Sequence, residues 1–217
     1  MNLLYNRKMK KRLLFFVLGG FVLLLFIFFS YLVHKDLFTQ FDFDMTVRLQ
    51  DNLPRRFDDF FSFLSFIGSF EPMLIVLIVV LLLWRKWITG VITIGTFAIL
   101  HIIEIYGKTF VDHSPPPEFM LRTKHLVDMP QFHIRLENSY PSGHAARAAF
   151  ITVVLLVLFL FSKKIGKIPK IIIVVLLFAY DAVLLISRVY LGEHWTSDVI
   201  GGSLLGAATA LFGVLLL

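Results

Sequence analysis

The sequence predicts an all-α integral membrane protein, in which residues 1–217 form a single bundle of six transmembrane helices. Three observations favour this fold class. Hydrophobic residues make up 58% of the chain, the mean hydropathy is +0.81, and the apolar residues fall into long runs separated by polar connections. A water-soluble domain needs a larger share of charged residues to cover its core, so the bilayer is the expected solvent for most of this chain.

The first predicted helix, residues 13–33, is an uncharged run that follows a basic tail at residues 1–12. It is long enough to cross a hydrocarbon core of ~30 Å. A cleaved signal peptide is the alternative, but the run exceeds the ~7–15 apolar residues of a typical signal, and no small-residue cleavage site follows it. We therefore expect an uncleaved membrane helix.

Five further apolar segments complete the bundle, at about residues 72–84, 87–106, 145–161, 171–186 and 199–217. The first of them is short for a span unless residues 63–70 contribute to it. Residues 55–61 mix charged and aromatic side chains, a pattern typical of an amphipathic segment at the membrane interface. The sequence shows no internal repeat and no second domain.

The basic residues predict the orientation of the bundle. When the six spans alternate across the bilayer, one side receives no Asp or Glu but most of the basic clusters: the N-terminal tail, Arg85, Lys86, Lys163, Lys164, Lys167 and Lys170. By the positive-inside rule that side is cytoplasmic, together with both termini. The connections at residues 35–71, 107–144 and 188–198 hold most of the histidines. We therefore expect the chemistry at the extracytoplasmic face of a cell membrane.

Two features of the composition restrict that chemistry. The chain contains no cysteine, which excludes disulfides, thiolate metal sites and cysteine nucleophiles. Its net charge of +6 comes from short clusters beside apolar runs, not from basic residues interleaved with aromatic ones along a strand-binding surface. We therefore expect the lipid bilayer, and no nucleic acid, as a partner.

The sequence Ser142-Gly143-His144 lies where a loop enters the fourth predicted span. A helix N-terminus exposes unpaired amides and a partial positive charge, so this segment can hold an anion while the imidazole of His144 donates a proton to it. The alternative is an ordinary turn in which Ser142 only caps the helix. This segment alone does not decide between the two interpretations.

His194 and Asp198 lie between the fifth and sixth spans, in a connection that begins with Arg188. If the sixth helix begins near His194, the i,i+4 spacing puts Asp198 on the same face, where its carboxylate orients the imidazole and stabilises its cationic form. The other ring nitrogen is then free to act as a nucleophile, and the planar guanidinium of Arg188 matches phosphate oxygens. Taken alone, this spacing more often marks a surface pair or two metal ligands.

Lys108 follows the third span on the same side of the membrane. A lysine at the end of a span often only extends its charge to the interface. Here, however, three separate extracytoplasmic segments each offer a cation or an imidazole. Together they indicate a site for phosphoryl transfer.

These segments resemble, in order and spacing, the three-part signature of the type 2 phosphatidic acid phosphatase superfamily: Lys108, then Pro141-Ser142-Gly143-His144, then Ser187-Arg188 with His194 and Asp198. The resemblance implies a six-helix core over nearly the whole chain and no metal. It also implies that His194 is the nucleophile, that His144 protonates the leaving oxygen and that Asp198 supports His194. The residues that hold the phosphoryl group are then Lys108, Ser142, Gly143 and Arg188.

One position departs from this family, whose first motif usually has an arginine seven residues after the lysine, where this chain has Pro115. We expect Arg147 to supply the missing phosphate-binding cation, because it lies three residues after His144 on the same helix face. Arg122 and Lys124, in the same extracytoplasmic loop, are the alternatives.

Glu104 and Asp181 lie within predicted spans, where an acid is costly unless it is paired or functional. Glu104 precedes Lys108 by one helical turn and is expected to pair with it. Asp181 is expected to steady Arg188 or Arg147.

These expectations combine into a function: a metal-independent lipid phosphate or diphosphate phosphatase that works through a phosphohistidine. A polyprenyl diphosphate such as undecaprenyl diphosphate is the expected substrate, a preference taken from the family resemblance, and phosphatidate and phosphatidylglycerol phosphate also qualify. A lipid phosphotransferase with the same intermediate and a non-catalytic lipid-binding or transport protein are the alternatives. The resembling soluble vanadium haloperoxidases share the anion site but need no apolar spans.

Overall fold

A computed structural model describes residues 2–85, 87–123 and 138–215 of the chain. Within these ranges it contains α-helices and two 3₁₀ turns, at Arg55–Phe57 and Glu118–Met120, and no β-strand, which confirms the all-α class. The eight helices of these ranges are α1 (Asn2–His34), α2 (Thr39–Asn52), α3 (Asp58–Ile67), α4 (Phe70–Trp84), α5 (Trp87–Phe110), α6 (Gly143–Phe161), α7 (Lys167–Tyr190) and α8 (Thr196–Gly213).

Four of these helices are long and apolar enough to cross a membrane: α1 from Met9 onwards, α5, α6 and α7. A fifth candidate is the pair Arg55–Ile67 and α4, which passes the same test only as one span bent by 53°. α8 does not pass, because it opens with a polar turn and is rich in glycine and alanine. The described residues therefore support four or five spans, and the predicted number of six is not confirmed.

The segment between the first and second predicted spans contains more structure than a connection. Residues 39–52 form helix α2, and residues 63–67 belong to α3, which joins α4 only across a bend at Gly68 and Ser69. α2 and α3 both pack against α7. One of the contacts is the hydrogen bond from the Tyr190 hydroxyl to Asp58 Oδ1, at 2.5 Å.

The centre of the bundle is α8, which contacts α1, α5, α6 and α7. A Cβ at Gly202 would lie 2.2 Å from the carbonyl oxygen of Ser142, and one at Gly206 would lie 2.0 Å from that of Ala146. Small residues at this spacing let two helix backbones approach closely within a membrane. The close approach of α8 and α6 holds the N-terminal ends of these two helices side by side.

The two ends of the bundle differ in their side chains. At the end where α6 and α8 begin, polar contacts join distant segments, as when Trp195 Nε1 donates to the Ser114 carbonyl at 2.7 Å. At the opposite end the Lys11 ammonium lies 4.0 Å from the centre of the Phe161 ring. The basic tail and the polar connections are thus at opposite ends, while the assignment of the cytoplasmic side stays a prediction.

Candidate active site

Three parts of the chain meet at the polar end: the end of α5, the start of α6 and the connection from α7 to α8. The Ser142 backbone N–H donates to the carbonyl oxygen of Asp198 at 3.0 Å, which ties the start of α6 to the start of α8. Lys108 Nζ and Arg147 Nη1 lie 3.7 and 3.5 Å from the carboxylate oxygens of Glu104, which ties α5 to α6. The structure therefore brings together the segments that the sequence analysis selected.

The start of α6 is a helix N-terminus at Gly143, slightly before the predicted position. Ser142 is its N-cap, and its hydroxyl oxygen accepts the Ala145 N–H at 3.5 Å. A Cβ at Gly143 would lie 2.0 Å from Glu104 Oε1 and 2.8 Å from Arg147 Nη1, so only glycine fits without displacing these groups. The first-turn amides lack intrahelical carbonyl partners, which suits this end of α6 to an anion. Capping and anion binding are therefore compatible here.

His194 precedes α8, which begins at Thr196, so the shared helix face expected for His194 and Asp198 is not formed. The contact itself is formed, because His194 Nδ1 lies 3.3 Å from Asp198 Oδ2. The same oxygen accepts the Trp195 backbone N–H at 2.9 Å, a capping bond to the first turn of α8. Asp198 therefore caps the helix and orients the imidazole together, and Nε2 is the ring nitrogen left for a substrate.

The environment of His194 favours the neutral imidazole. Burial lowers the pKa of His194 to about 4, the charges of Lys108 and Arg188 act in the same direction, and Asp198 opposes them. The ring is therefore neutral at physiological pH, as a nitrogen nucleophile must be. His144 is the second residue of α6, so it also lies at this end of the bundle.

Arg188 lies on the last turn of α7 and not in the connection where the sequence analysis placed it. Its side chain is fully buried, so its charge requires partners. Nη2 forms an ion pair with Glu193, Nη1 donates to the Ser65 hydroxyl, and Nε has no hydrogen-bond partner among the described residues. One edge of the guanidinium thus contacts the carboxylate of Glu193. A phosphate group can form the same kind of charge-assisted hydrogen bonds with a guanidinium and can therefore replace this carboxylate.

Pro115 stands where the family that the sequence resembles usually has an arginine, and the candidate replacements differ in their surroundings. Arg147 is buried among the site residues. The guanidinium of Arg122 lies elsewhere, 5.0 Å from the centre of the Tyr190 ring, and donates to two backbone carbonyls. Lys124 lies outside the described residues. Arg147 therefore remains the best-placed candidate for an additional phosphate contact.

The two acids within the predicted spans have different partners. Glu104 contacts Lys108, as predicted, and also contacts Arg147. Asp181 contacts neither of the expected arginines in the described part of the chain, and its Oδ1 accepts a hydrogen bond from the Thr152 hydroxyl at 3.0 Å. The prediction for Asp181 is wrong because two helical turns, a rise of about 10 Å, separate it from the site end of α7.

Three residues beside Asp198 received no role from the sequence. His113 Nε2 lies 3.5 Å from Asp198 Oδ1. Asp42 accepts the Ser197 hydroxyl at 2.6 Å and the Ser197 N–H at 2.8 Å. No spacing rule links these residues, because they come from α2, from the segment after α5 and from α8. The only signal in the sequence is that they fall in or beside the polar connections of one side.

The family model of the PAP2 superfamily matches residues 74–217, which include every candidate site residue named from the sequence. The fold is similar to the crystal structure of the first transmembrane PAP2 type phosphatidylglycerolphosphate phosphatase from Bacillus subtilis, at 20% identity over 91% of this chain and 93% of that chain, with a TM-score of 0.71. It is also similar to Aquifex aeolicus LpxE, at 24% identity over 80% of this chain and 94% of that chain, with a TM-score of 0.59. No curated protein matches the sequence significantly.

Proposed function

The chain belongs to the PAP2 superfamily, and from that premise we propose that it is a membrane phosphatase that acts on lipid phosphates or diphosphates through a phosphohistidine. The observation that carries the proposal is the geometry of His194, whose Nδ1 is oriented by Asp198 while burial keeps the ring neutral. A neutral imidazole with one nitrogen held by a carboxylate has the properties of a nitrogen nucleophile.

The proposed reaction has two steps. First, His194 Nε2 attacks phosphorus in line, so that an N–P bond forms as the P–O bond to the lipid breaks, and His144 gives a proton to the departing oxygen. Asp198 stabilises the positive charge that develops on the His194 ring. Second, water attacks the phosphorus and gives a proton to His144, the N–P bond breaks and inorganic phosphate leaves.

The phosphoryl group would be held by cations together with the amides at Ser142 and Gly143. Within the protein itself, Lys108 and Arg147 share the carboxylate of Glu104. Arg188 is paired with Glu193 in the same way, as described above. Buried cations are stable only with such counter-charges, and a phosphate group supplies equivalent ones to all three cations when it binds.

The position of the site supports a lipid substrate. The site lies at one end of an apolar bundle, so it suits a molecule whose headgroup reaches water while its tails stay in lipid. A polyprenyl diphosphate such as undecaprenyl diphosphate is our first choice, followed by phosphatidate and phosphatidylglycerol phosphate. The distribution of basic residues favours a cell-membrane protein with both termini in the cytoplasm and an extracytoplasmic site.

The test is phosphate release from these three lipid classes by purified protein in detergent with a chelator present. We expect release that survives chelation and is lost in His194→Ala. His34→Ala is the matched control, since the His34 imidazole lies at the same end but contacts the exposed Asp112 at 3.8 Å. The described residues contain no group of three or more His, Cys, Asp or Glu side chains placed to hold a metal ion, and the chelator tests metal independence directly.

Four other outcomes would change the assignment. Equal release by His194→Ala, or no release from any lipid, would contradict the proposal. Transfer of the phosphoryl group to an acceptor other than water would identify the phosphotransferase alternative. Lipid binding without turnover would identify the non-catalytic alternative.

A further inference from the structure

Three buried polar residues lie next to Asp198, and the proposed reaction uses none of them. They are Asp42 in α2, His113 after α5 and Ser197 in α8, and 1%, 7% and 0% of their surfaces are exposed. Burial of polar side chains is costly unless they are paired. A group of three beside the partner of the nucleophile therefore requires an explanation.

The two carboxylate oxygens of Asp198 have different surroundings. Oδ2 faces His194 Nδ1 and accepts the Trp195 N–H, as described above. Oδ1 is buried and has no hydrogen-bond partner among the described residues. The nearby group that can compensate its charge is His113 Nε2, at 3.5 Å. An uncompensated buried carboxylate oxygen is unfavourable, so this contact stabilises the anionic form of Asp198.

The contacts of His113 assign the proton to its Nε2. This nitrogen lies 3.2 Å from Ser197 Oγ and 3.7 Å from Asp42 Oδ2. Ser197 donates its own hydroxyl proton to Asp42 Oδ2 at 2.6 Å, so its oxygen is an acceptor towards His113. All the groups around Nε2 are therefore acceptors. The nitrogen must carry a hydrogen, which it donates to Ser197 Oγ, while the carboxylate oxygens of Asp198 and Asp42 lie close enough to be stabilised by the positive end of this N–H group.

His113 is also fixed by its neighbours in the chain. Its carbonyl oxygen accepts the Ser139 N–H at 2.9 Å, and its ring stands edge-on to Tyr140 with ring centres 6.5 Å apart. The charged and titratable groups that face the imidazole are thus Asp42 from α2, Asp198 from α8 and Tyr140 from the segment before α6. These contacts fix the position of the His113 ring relative to Asp198.

We propose that His113, held by Asp42 and Ser197, is a positioning residue that fixes Asp198 and through it the ring of His194. The proposal rests on the function proposed above. It assigns a role to the segment between Lys108 and Pro115, where this chain lacks the arginine of its family. His113 does not touch the reacting atoms, and its effect passes through Asp198 alone.

The variants that test this role differ in a single property. His113→Leu removes the N–H donor at similar volume, while His113→Gln keeps an N–H donor close to the position of Nε2. We expect His113→Leu to lower kcat by about 10-fold or more, because a nucleophile displaced by about 1 Å can lose about 100-fold in rate. We expect KM to stay within about 2-fold, and His113→Gln to recover most of kcat. His34→Leu is the control and is expected to leave kcat unchanged.

Two readouts separate positioning from a merely structural role. The first is the separation of the kinetic constants, in which a folded His113→Leu protein loses kcat but keeps KM, and His113→Gln recovers most of kcat. In an Asp198→Asn background, His113→Leu should cause no further loss of kcat, because residues that act through one group are not additive.

The outcomes are distinguishable from a failure of the proposed function. Wild-type release that is lost in His194→Ala establishes the reaction first, and the His113 variants are then compared with that rate. Unchanged kcat in a folded His113→Leu protein would overturn the positioning role. Equal losses in the Gln and Leu variants, or losses that multiply in the Asp198→Asn background, would also overturn it.

Discussion

His194 lies between two groups of charged and polar residues, and the contacts within the two groups differ. The cation side consists of Lys108, Arg147 and Arg188 with their carboxylate partners, and there the exposed fraction of the side chains falls from 20% at Lys108 to 8% at Arg147 and 1% at Arg188. The carboxylate side consists of Asp198, His113, Asp42 and Ser197, and there the side chains of His113 and Asp42 are only 6% and 1% exposed.

The difference indicates separate tasks for the two sides. Ion pairs at 3.5 to 3.7 Å, as around Glu104, are not held by short hydrogen bonds and can exchange partners when an anion arrives. Fully buried groups with hydrogen bonds of 2.6 to 2.9 Å, as around Asp42 and Asp198, cannot do so without unpairing polar atoms. We infer that the cation side binds phosphate and that the carboxylate side holds the nucleophile.

Asp198→Asn gives the largest expected change among the variants that compare the two sides. The asparagine oxygen can still accept the Trp195 N–H and cap α8, but the amide cannot stabilise a positive His194 ring. By analogy with the aspartate of serine protease triads, we expect kcat to fall by about 10³-fold or more while KM changes little. Both values are measured by steady-state kinetics with whichever of the three lipid classes is hydrolysed with the highest kcat/KM. A rise in KM with unchanged kcat would mean that Asp198 contributes to substrate binding, and would contradict the separate tasks of the two sides.

Arg147→Ala should give an intermediate effect on the opposite side. Removal of one charge-assisted phosphate contact is expected to cost about 1.5–3 kcal/mol, or about 10- to 100-fold in kcat/KM, with most of the change in KM. Arg122→Ala is the matched control, because that guanidinium packs against Tyr190 and donates to the carbonyls of Leu53 and Gln50. If both variants kept wild-type substrate affinity and turnover, Arg147 would not be the substitute for the arginine missing at Pro115.

The pH dependence should show the smallest effect. Since burial lowers the pKa of His194 to about 4, its ring stays neutral between pH 7 and pH 5. Protonation of His194 should then lower kcat/KM by less than about 2-fold over this range, whereas a histidine with an ordinary pKa near 6.5 would lower it by about 25-fold. The pKa of the substrate phosphate is measured separately, and its contribution to the pH dependence of kcat/KM is removed. An acid limb near pH 6.5 that remains after this correction would contradict the environment described for this ring.

The sequence predicts the cation side better than the carboxylate side. Lys108 and Arg188 occupy positions of a known signature, Arg147 lies one helical turn after a third such position, and the structure brings their segments together. His113 and Asp42 reach Asp198 from separate elements, so their contacts depend on how α2 and the segment after α5 pack on α8. Such long-range contacts leave no periodic pattern in the sequence.

The fold, like the site, could be predicted from the sequence only in part. Long apolar runs identify α1, α5, α6 and α7, because a membrane span depends mainly on composition and length. The predicted count of six spans is not confirmed because α8 is not apolar enough. Its glycines allow close packing with α6, and they also lower its mean hydropathy. Helix α2 is amphipathic and short, and its position depends on contacts that only the folded bundle provides.

The central claim is that phosphate is transferred to His194, and trapping the intermediate tests it most directly. Protein mixed with a lipid substrate radiolabelled in the phosphoryl group would be quenched in alkali during a single turnover, digested and sequenced. We predict label on the peptide that contains His194, stable in alkali and lost in acid, and absent from His194→Gln. Label on a different residue, or no label at any quench time while phosphate is released, would contradict the account.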